Sequence, residues 1–103
     1  MMLLKAHLEV QAGQWDRLRP LLDELAAQSR AEAGCLSFEY FTSGQDTAYI
    51  LVIQEWRDRE SLERHEASAH VADFKTRAAD LITRRAPTQV YIVDRIEGLS
   101  SQS

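Results

Sequence analysis

Cysteine is nearly absent from this chain. With Cys35 as the one thiol in 103 residues, no internal disulfide can form. That usage fits a reducing compartment, and a cytoplasmic location is the working expectation. No apolar run approaches the ~20 residues that a membrane-spanning helix needs. The first ten residues acquire Lys5, His7 and Glu9 too early for a signal peptide. Basic charge is not in excess, since 12 Lys and Arg stand against 16 Asp and Glu for a net charge of −4. Nucleic acid and anionic membrane are therefore poor partners. Gly-rich phosphate loops, cysteine pairs, the Gly-x-Ser-x-Gly elbow and His-Glu-x-x-His are all missing, which removes the main support for nucleotide, zinc and serine-hydrolase chemistry.

What is present is an ordinary globular composition, 45% hydrophobic and 27% charged, which excludes disorder over the whole length. The length fits one domain over residues 1–97, followed by a polar tail at 98–103. Leu4, Ala6, Leu8 and Val10 alternate with charged or polar neighbours and predict a strand over 2–10. Leu18, Leu21, Leu22 and Leu25 make a helical stripe with Pro20 early in it, and Gly34 stops the helical region. Residues 35–42 read as a second strand, 43–46 as a turn, and 49–56 as a strong third strand. Asp58 is a plausible N-cap for a long helix carrying Leu62, His65 and Ala69 on one face. The stripe continues through Val71, Phe74, Ala78, Leu81 and Ile82 to a stop at Ala86-Pro87. Residues 88–96 then read as a fourth strand.

The order strand, helix, strand, strand, helix, strand is that of the α+β ferredoxin-like βαββαβ fold, an antiparallel four-stranded sheet with its helices on one face. Ile50 to Ile53 and Val90 to Val93 are apolar toward both faces. Two helices cover one face only, so a second copy on the open face, a homodimer, is expected.

His65 and His70 would diverge by roughly 140° on an unbroken helix and would not share a metal ion. His65 lies on the apolar stripe, where acid–base work and a satisfied structural role are equally good readings. His70 reads better as partly exposed, and His7 as a surface or interface residue. Trp56, at a strand–helix corner, is either a packing residue or a pocket wall with an N–H donor. Trp15 and Cys35 read as packing residues. Arg57-Asp58-Arg59-Glu60 and Arg84-Arg85 read as solvated faces. Glu55 is either a buried base or a partner at the dimer face. Tyr40, Tyr49 and Tyr91 suit a sheet as well as a pocket.

Taken together, Glu32-Ala33-Gly34-Cys35-Leu36, the hairpin, Gln54-Glu55-Trp56, His65 and His70 resemble the antibiotic biosynthesis monooxygenase domain, over nearly the whole chain. Ala33, Gln54 and Ala69 depart from the family's usual Pro, Glu and Pro. The resemblance implies a dimeric α+β barrel with a pocket between helices and sheet in each subunit. It implies cofactor-free oxidation of quinols or polyketide-like aromatics by dioxygen, although other members degrade haem or isomerise phosphorylated sugars. No His follows His70, which disfavours haem degradation. The leading expectation is a small monooxygenase that needs no metal, flavin or haem. His65 serves as base, Trp56 as wall and donor, and His70, Phe38, Tyr40, Phe74 and Leu81 line the substrate site. A sugar-phosphate isomerase would need a cationic anchor that the apolar stripes do not offer. A dimeric binding or stress-response module without turnover is the non-enzyme alternative.

Overall fold

The computed structural model describes residues 1–43 and 46–99. Period-two alternation builds β1 (Met2–Val10), whose Met2, Leu4, Leu8 and Val10 are buried on one face. Gly13, at φ +76°, turns the chain into α1 (Trp15–Arg30). This helix buries Leu18, Leu22, Leu25 and Ala26 against the sheet and leaves Pro20 on its exposed side. β2 (Cys35–Ser43) and β3 (Asp46–Trp56) form an antiparallel hairpin. The expected turn at 43–46 falls partly outside the described residues, as does the end of the expected tail. Along β3, Ile50, Val52, Gln54 and Trp56 face the core, while Leu51, Ile53 and Glu55 face outward and are half-buried.

β1 is the central strand, with β3 antiparallel on one side. Its other side is shared by two short strands, β4 (Ile82–Arg85) against Leu8–Val10 and β5 (Gln89–Ile92) against Met2–Lys5. Two further helices, α2 (Arg59–Glu66) and α3 (Ala69–Ala78), join α1 on a single face. The core lies between that layer and the sheet. This is the ferredoxin-like α+β architecture, with the fourth sheet position broken at residues 86–88 and the second helix divided in two. Among the described residues, no helix is long and apolar enough to cross a membrane.

Three local expectations are corrected. The long helix ends at Ala78 rather than at Ala86-Pro87. Leu81 and Ile82 keep the helical spacing, but the free edge of β1 offers hydrogen bonds to the β-branched pair Ile82-Thr83, and the backbone extends there. The fourth strand consequently begins earlier than residue 88 and stops at Ile92. Ala69 is exposed and does not share the stripe of Leu62 and His65, because the chain leaves the α2 axis at Ala67 and Ser68.

The outer face of the sheet is bare. Phe41, Tyr49 and Tyr91 are each about half exposed there, beside the half-buried Leu3, Leu51 and Ile53. β5 is exposed along its whole length, with Ile92 71% accessible.

Candidate functional site

The end of β3 and the start of α2 are joined by only Arg57 and Asp58. The Asp58 side chain accepts the Ser61 backbone N–H at 2.8 Å and so starts α2 immediately after Trp56. Hydrogen bonds from the Ser61 hydroxyl and backbone hold the Asp58 carboxyl at about 2, well below the usual carboxylate range. One and a half turns on, His65 is 2% exposed, its ring 4.5 Å from that of Trp56 and 5.8 Å from that of Phe38.

Glu32 reaches this histidine from the α1–β2 loop. Gly34 makes the approach possible. It sits at φ +87°, and a Cβ there would lie 2.1 Å from Ser61 Oγ. Its carbonyl accepts the Arg57 N–H at 2.8 Å and ties the loop to the end of β3. Glu32 Oε2 then stands 2.7 Å from His65 Nδ1. A carboxylate has no proton to give, so Nδ1–H donates, and whenever the ring is neutral its lone pair is on Nε2.

The break between α2 and α3 brings His70 to the same carboxylate. Ser68 is both the end of one helix and the cap of the next. Its hydroxyl donates to the His65 carbonyl at 2.6 Å, and its Oγ accepts the Val71 N–H at 3.4 Å. His70 Nε2 lies 3.2 Å from Glu32 Oε2 but without hydrogen-bond geometry.

Glu32, His65 and His70 offer donor atoms within 4.8 Å of one another. Two imidazoles and a carboxylate are a set that zinc or ferrous iron can use. The spacing argument against shared ligation therefore falls, because the helix is not continuous. The contact of 2.7 Å is nonetheless a hydrogen bond. Ligand atoms around a tetrahedral zinc ion stand about 3.4 Å apart, wider than the Glu32–His65 contact and close to the His70–Glu32 separation of 3.2 Å.

A cavity of about 270 Å³ opens between the helices and the sheet. Its apolar wall is contributed by Leu8, Leu22, Leu25, Phe38, Val52 and Phe74, and its buried polar groups are His65 and Gln54. Gln54 Oε1 accepts the Trp56 indole N–H at 3.0 Å, which leaves the Gln54 amide N–H groups as donors beside the cavity. Glu66, Lys75 and Arg85 also line it, and all three side chains are exposed.

Of the residues singled out from sequence, His65, Phe38 and Phe74 meet at this cavity. Trp56 stands behind it, fully buried, with its N–H directed at Gln54. His70 does not line the cavity, although its ring stands 5.9 Å from that of His65. Tyr40 packs edge-on to Trp15 and donates its hydroxyl to Asp23. Burial first, and then that bond to Asp23, raise the Tyr40 phenol above its ordinary value. Leu81 is core, 3% exposed. Glu55 points to the outer face and accepts the Ser37 hydroxyl at 2.6 Å. Burial, reinforced by Glu32, raises the Cys35 thiol and keeps it protonated.

Glu32 and Gln54 were visible in the sequence only as parts of Glu-x-Gly-Cys and Gln-x-Trp. Lys75 and Arg85 carried no signal at all, because Arg85 reaches the cavity only through β4. A larger groove of about 430 Å³, near His7, Phe41, Tyr49 and Arg84, opens on the bare outer face. It lacks any buried titratable group.

Residues 1–77 match the family model for Antibiotic biosynthesis monooxygenase. The Mycobacterium tuberculosis protein named "Putative monooxygenase Rv0793" is 30% identical over 84 residues, covering 82% of this chain and 80% of the relative. Its solved structure superposes with a TM-score of 0.78 at 26% identity, over 96% of this chain and 98% of that one. A Deinococcus radiodurans structure described as a putative antibiotic biosynthesis monooxygenase shares the fold more closely, with a TM-score of 0.89 at 20% identity, over 98% of this chain and all of the other.

Proposed function

The chain belongs to the antibiotic biosynthesis monooxygenase family, and from that premise we propose that it oxidises a small phenolic or quinol substrate with dioxygen, without metal, flavin or haem. The observation that carries this reading is the buried His65, backed by Glu32, at the floor of an apolar cavity. Glu32 keeps the proton on Nδ1, so Nε2 is the basic nitrogen. It takes the phenolic proton, while the Gln54 amide donates to the resulting oxyanion. The electron-rich anion passes one electron to dioxygen. The radical pair joins at ring carbon, and loss of water leaves the new carbonyl. One phenol and one dioxygen thus give one quinone and one water. The apolar wall keeps bulk water from the radical pair.

Trp56 supports this chemistry from behind, by stacking on His65 and fixing the Gln54 amide. The bare outer face suits a homodimer. Phe41, Tyr49 and Tyr91 would be covered by a second copy, and β5 would gain the layer it lacks. Sedimentation equilibrium at micromolar concentration should give twice the chain mass, and a monomer throughout would contradict it.

Lys75 and Arg85 supply the cationic anchor that a sugar-phosphate isomerase needs. The wall of Leu, Val and Phe side chains offers little to sugar hydroxyls, so this is the second reading. The test is oxygen uptake by metal-free protein with a panel of hydroquinones. Uptake that is lost in a folded His65→Ala variant supports the oxygenase. Tight binding of hydroquinones without uptake would leave a binding module.

A further inference from the structure

The cavity has two chemically different ends. Its floor holds His65 and Gln54, both buried. Its mouth holds Lys75 from α3 and Arg85 from β4. The register explains why Arg85 is there. Arg85 pairs with Leu8, whose side chain faces the helices, and Arg84 pairs with Glu9 on the other side of the sheet. Two adjacent arginines thus serve opposite faces, and Arg84 borders the outer groove instead.

Of the twelve Lys and Arg residues, six are engaged as follows. Arg19, Arg57, Arg64, Arg77 and Arg95 each meet a carboxylate, and Arg30 donates to the Phe38 carbonyl. Among the described residues, neither Lys75 nor Arg85 pairs with any carboxylate. Glu66, the acidic group at the same mouth, pairs with neither. Two cations from separate elements are therefore left unpaired over one apolar cavity, with a single carboxylate beside them.

We propose that the substrate is an aromatic acid, a phenol or hydroquinone whose ring fills the apolar cavity and whose carboxylate is held at the mouth by Lys75 and Arg85. This rests on the oxygenase reading for the phenolic end only, because the carboxylate end is argued from the mouth alone. Arg85 offers a planar fork that matches a carboxylate, and Lys75 a mobile point charge that tolerates variation in the ring. Glu66 acts against the anion and selects for ligands whose charge lies on the Arg85 side. A phosphorylated sugar would satisfy the cations but leave the apolar wall unmatched.

The experiment is equilibrium binding under anaerobic conditions, so that no turnover is required. The probes are 2,5-dihydroxybenzoate, its neutral amide 2,5-dihydroxybenzamide, and ribose 5-phosphate. The benzoate should bind at least about 5-fold more tightly than the amide, the scale of one partly exposed ion pair. That preference should shrink as salt is raised. Arg85→Ala and Lys75→Ala should each weaken the benzoate about 5-fold and leave the amide unchanged. Arg84→Ala should leave both unchanged, and Glu66→Gln should tighten the benzoate. Benzoate and amide binding equally, Arg84→Ala acting like Arg85→Ala, or ribose 5-phosphate binding best would each overturn the proposal. Selective benzoate binding without oxygen uptake would support the mouth assignment and remove the oxygenase reading. Oxygen uptake without benzoate selectivity would do the reverse.

Discussion

Removing the Glu32 carboxylate tests the dyad without touching the imidazole. In Glu32→Ala the His65 Nδ1–H stays buried, since the ring is 2% exposed and packed between Trp56 and Phe38. A buried donor left without an acceptor costs about 1–3 kcal/mol. Taking about 2 kcal/mol, a domain of this size should lose roughly 8–16 °C in Tm. Nothing then fixes the ring proton on Nδ1, and the fraction of molecules with a basic Nε2 falls. Glu32→Gln keeps the shape and one acceptor but loses the charge, so it should lie between wild type and Glu32→Ala in both stability and turnover. The assays are thermal unfolding by circular dichroism, nitrogen-15 NMR of the ring to read the tautomer, and oxygen uptake. Turnover of Glu32→Ala should drop about 100-fold or more, the contribution of a positioned base. The reasoning fails if Glu32→Ala melts within 2 °C of wild type and keeps a single Nδ1–H tautomer.

Other substitutions separate the neighbours. His65→Ala should lower turnover by roughly 100-fold or more, whereas His70→Ala, which does not line the cavity, should do much less; steady-state kinetics of the two variants decide it. Trp56→Phe removes the donor to Gln54 Oε1 and frees that amide to rotate, so KM should rise more than kcat falls. Gly34→Ala pushes a Cβ to 2.1 Å from Ser61 Oγ at φ +87° and should cost about 1–3 kcal/mol from backbone strain alone. The double variant with Ser61→Gly should recover only part of that in a denaturant titration. Asp58 is depressed from 3.8 to about 2 in the folded chain, so its contribution is complete above the unfolded value and is lost as pH falls toward 2. Asp58→Asn cannot titrate, and the Tm gap between it and wild type should close over that window.

The strand β1 was legible from its period of two, and β3 from its run of apolar residues at 50–53. Leu4 and Leu8 face inward where the alternation places them, and Ile50 and Val52 join them in the core. The pairing of Trp56 with His65 was legible too, since only Arg57 and the cap Asp58 separate the strand from the helix. The end of α3 was not, because Leu81 and Ile82 satisfy a helical stripe and a turn-plus-strand equally well. What decided it was the vacant edge of β1, a partner far away in the chain. The break at Ser68 was hidden for a related reason. Neither Pro nor Gly marks it, and a serine reads as an ordinary helix residue until its hydroxyl is seen capping α3. The role of Glu32 depended on that break and on the close packing of Gly34, so periodicity carried no trace of it.

The cavity draws on two stretches of chain. Glu32, Gln54 and His65 all lie within the segment that matches the family, residues 1–77. Arg85, Ala86 and Thr88 at the rim lie after it, on the short strand and its interruption. On the proposed reading, a mutation in that later stretch would alter which molecules are admitted while Glu32, Gln54 and His65 stay where they are. A laboratory library confined to residues 82–88 would vary the rim and leave Gln54 and His65 in place.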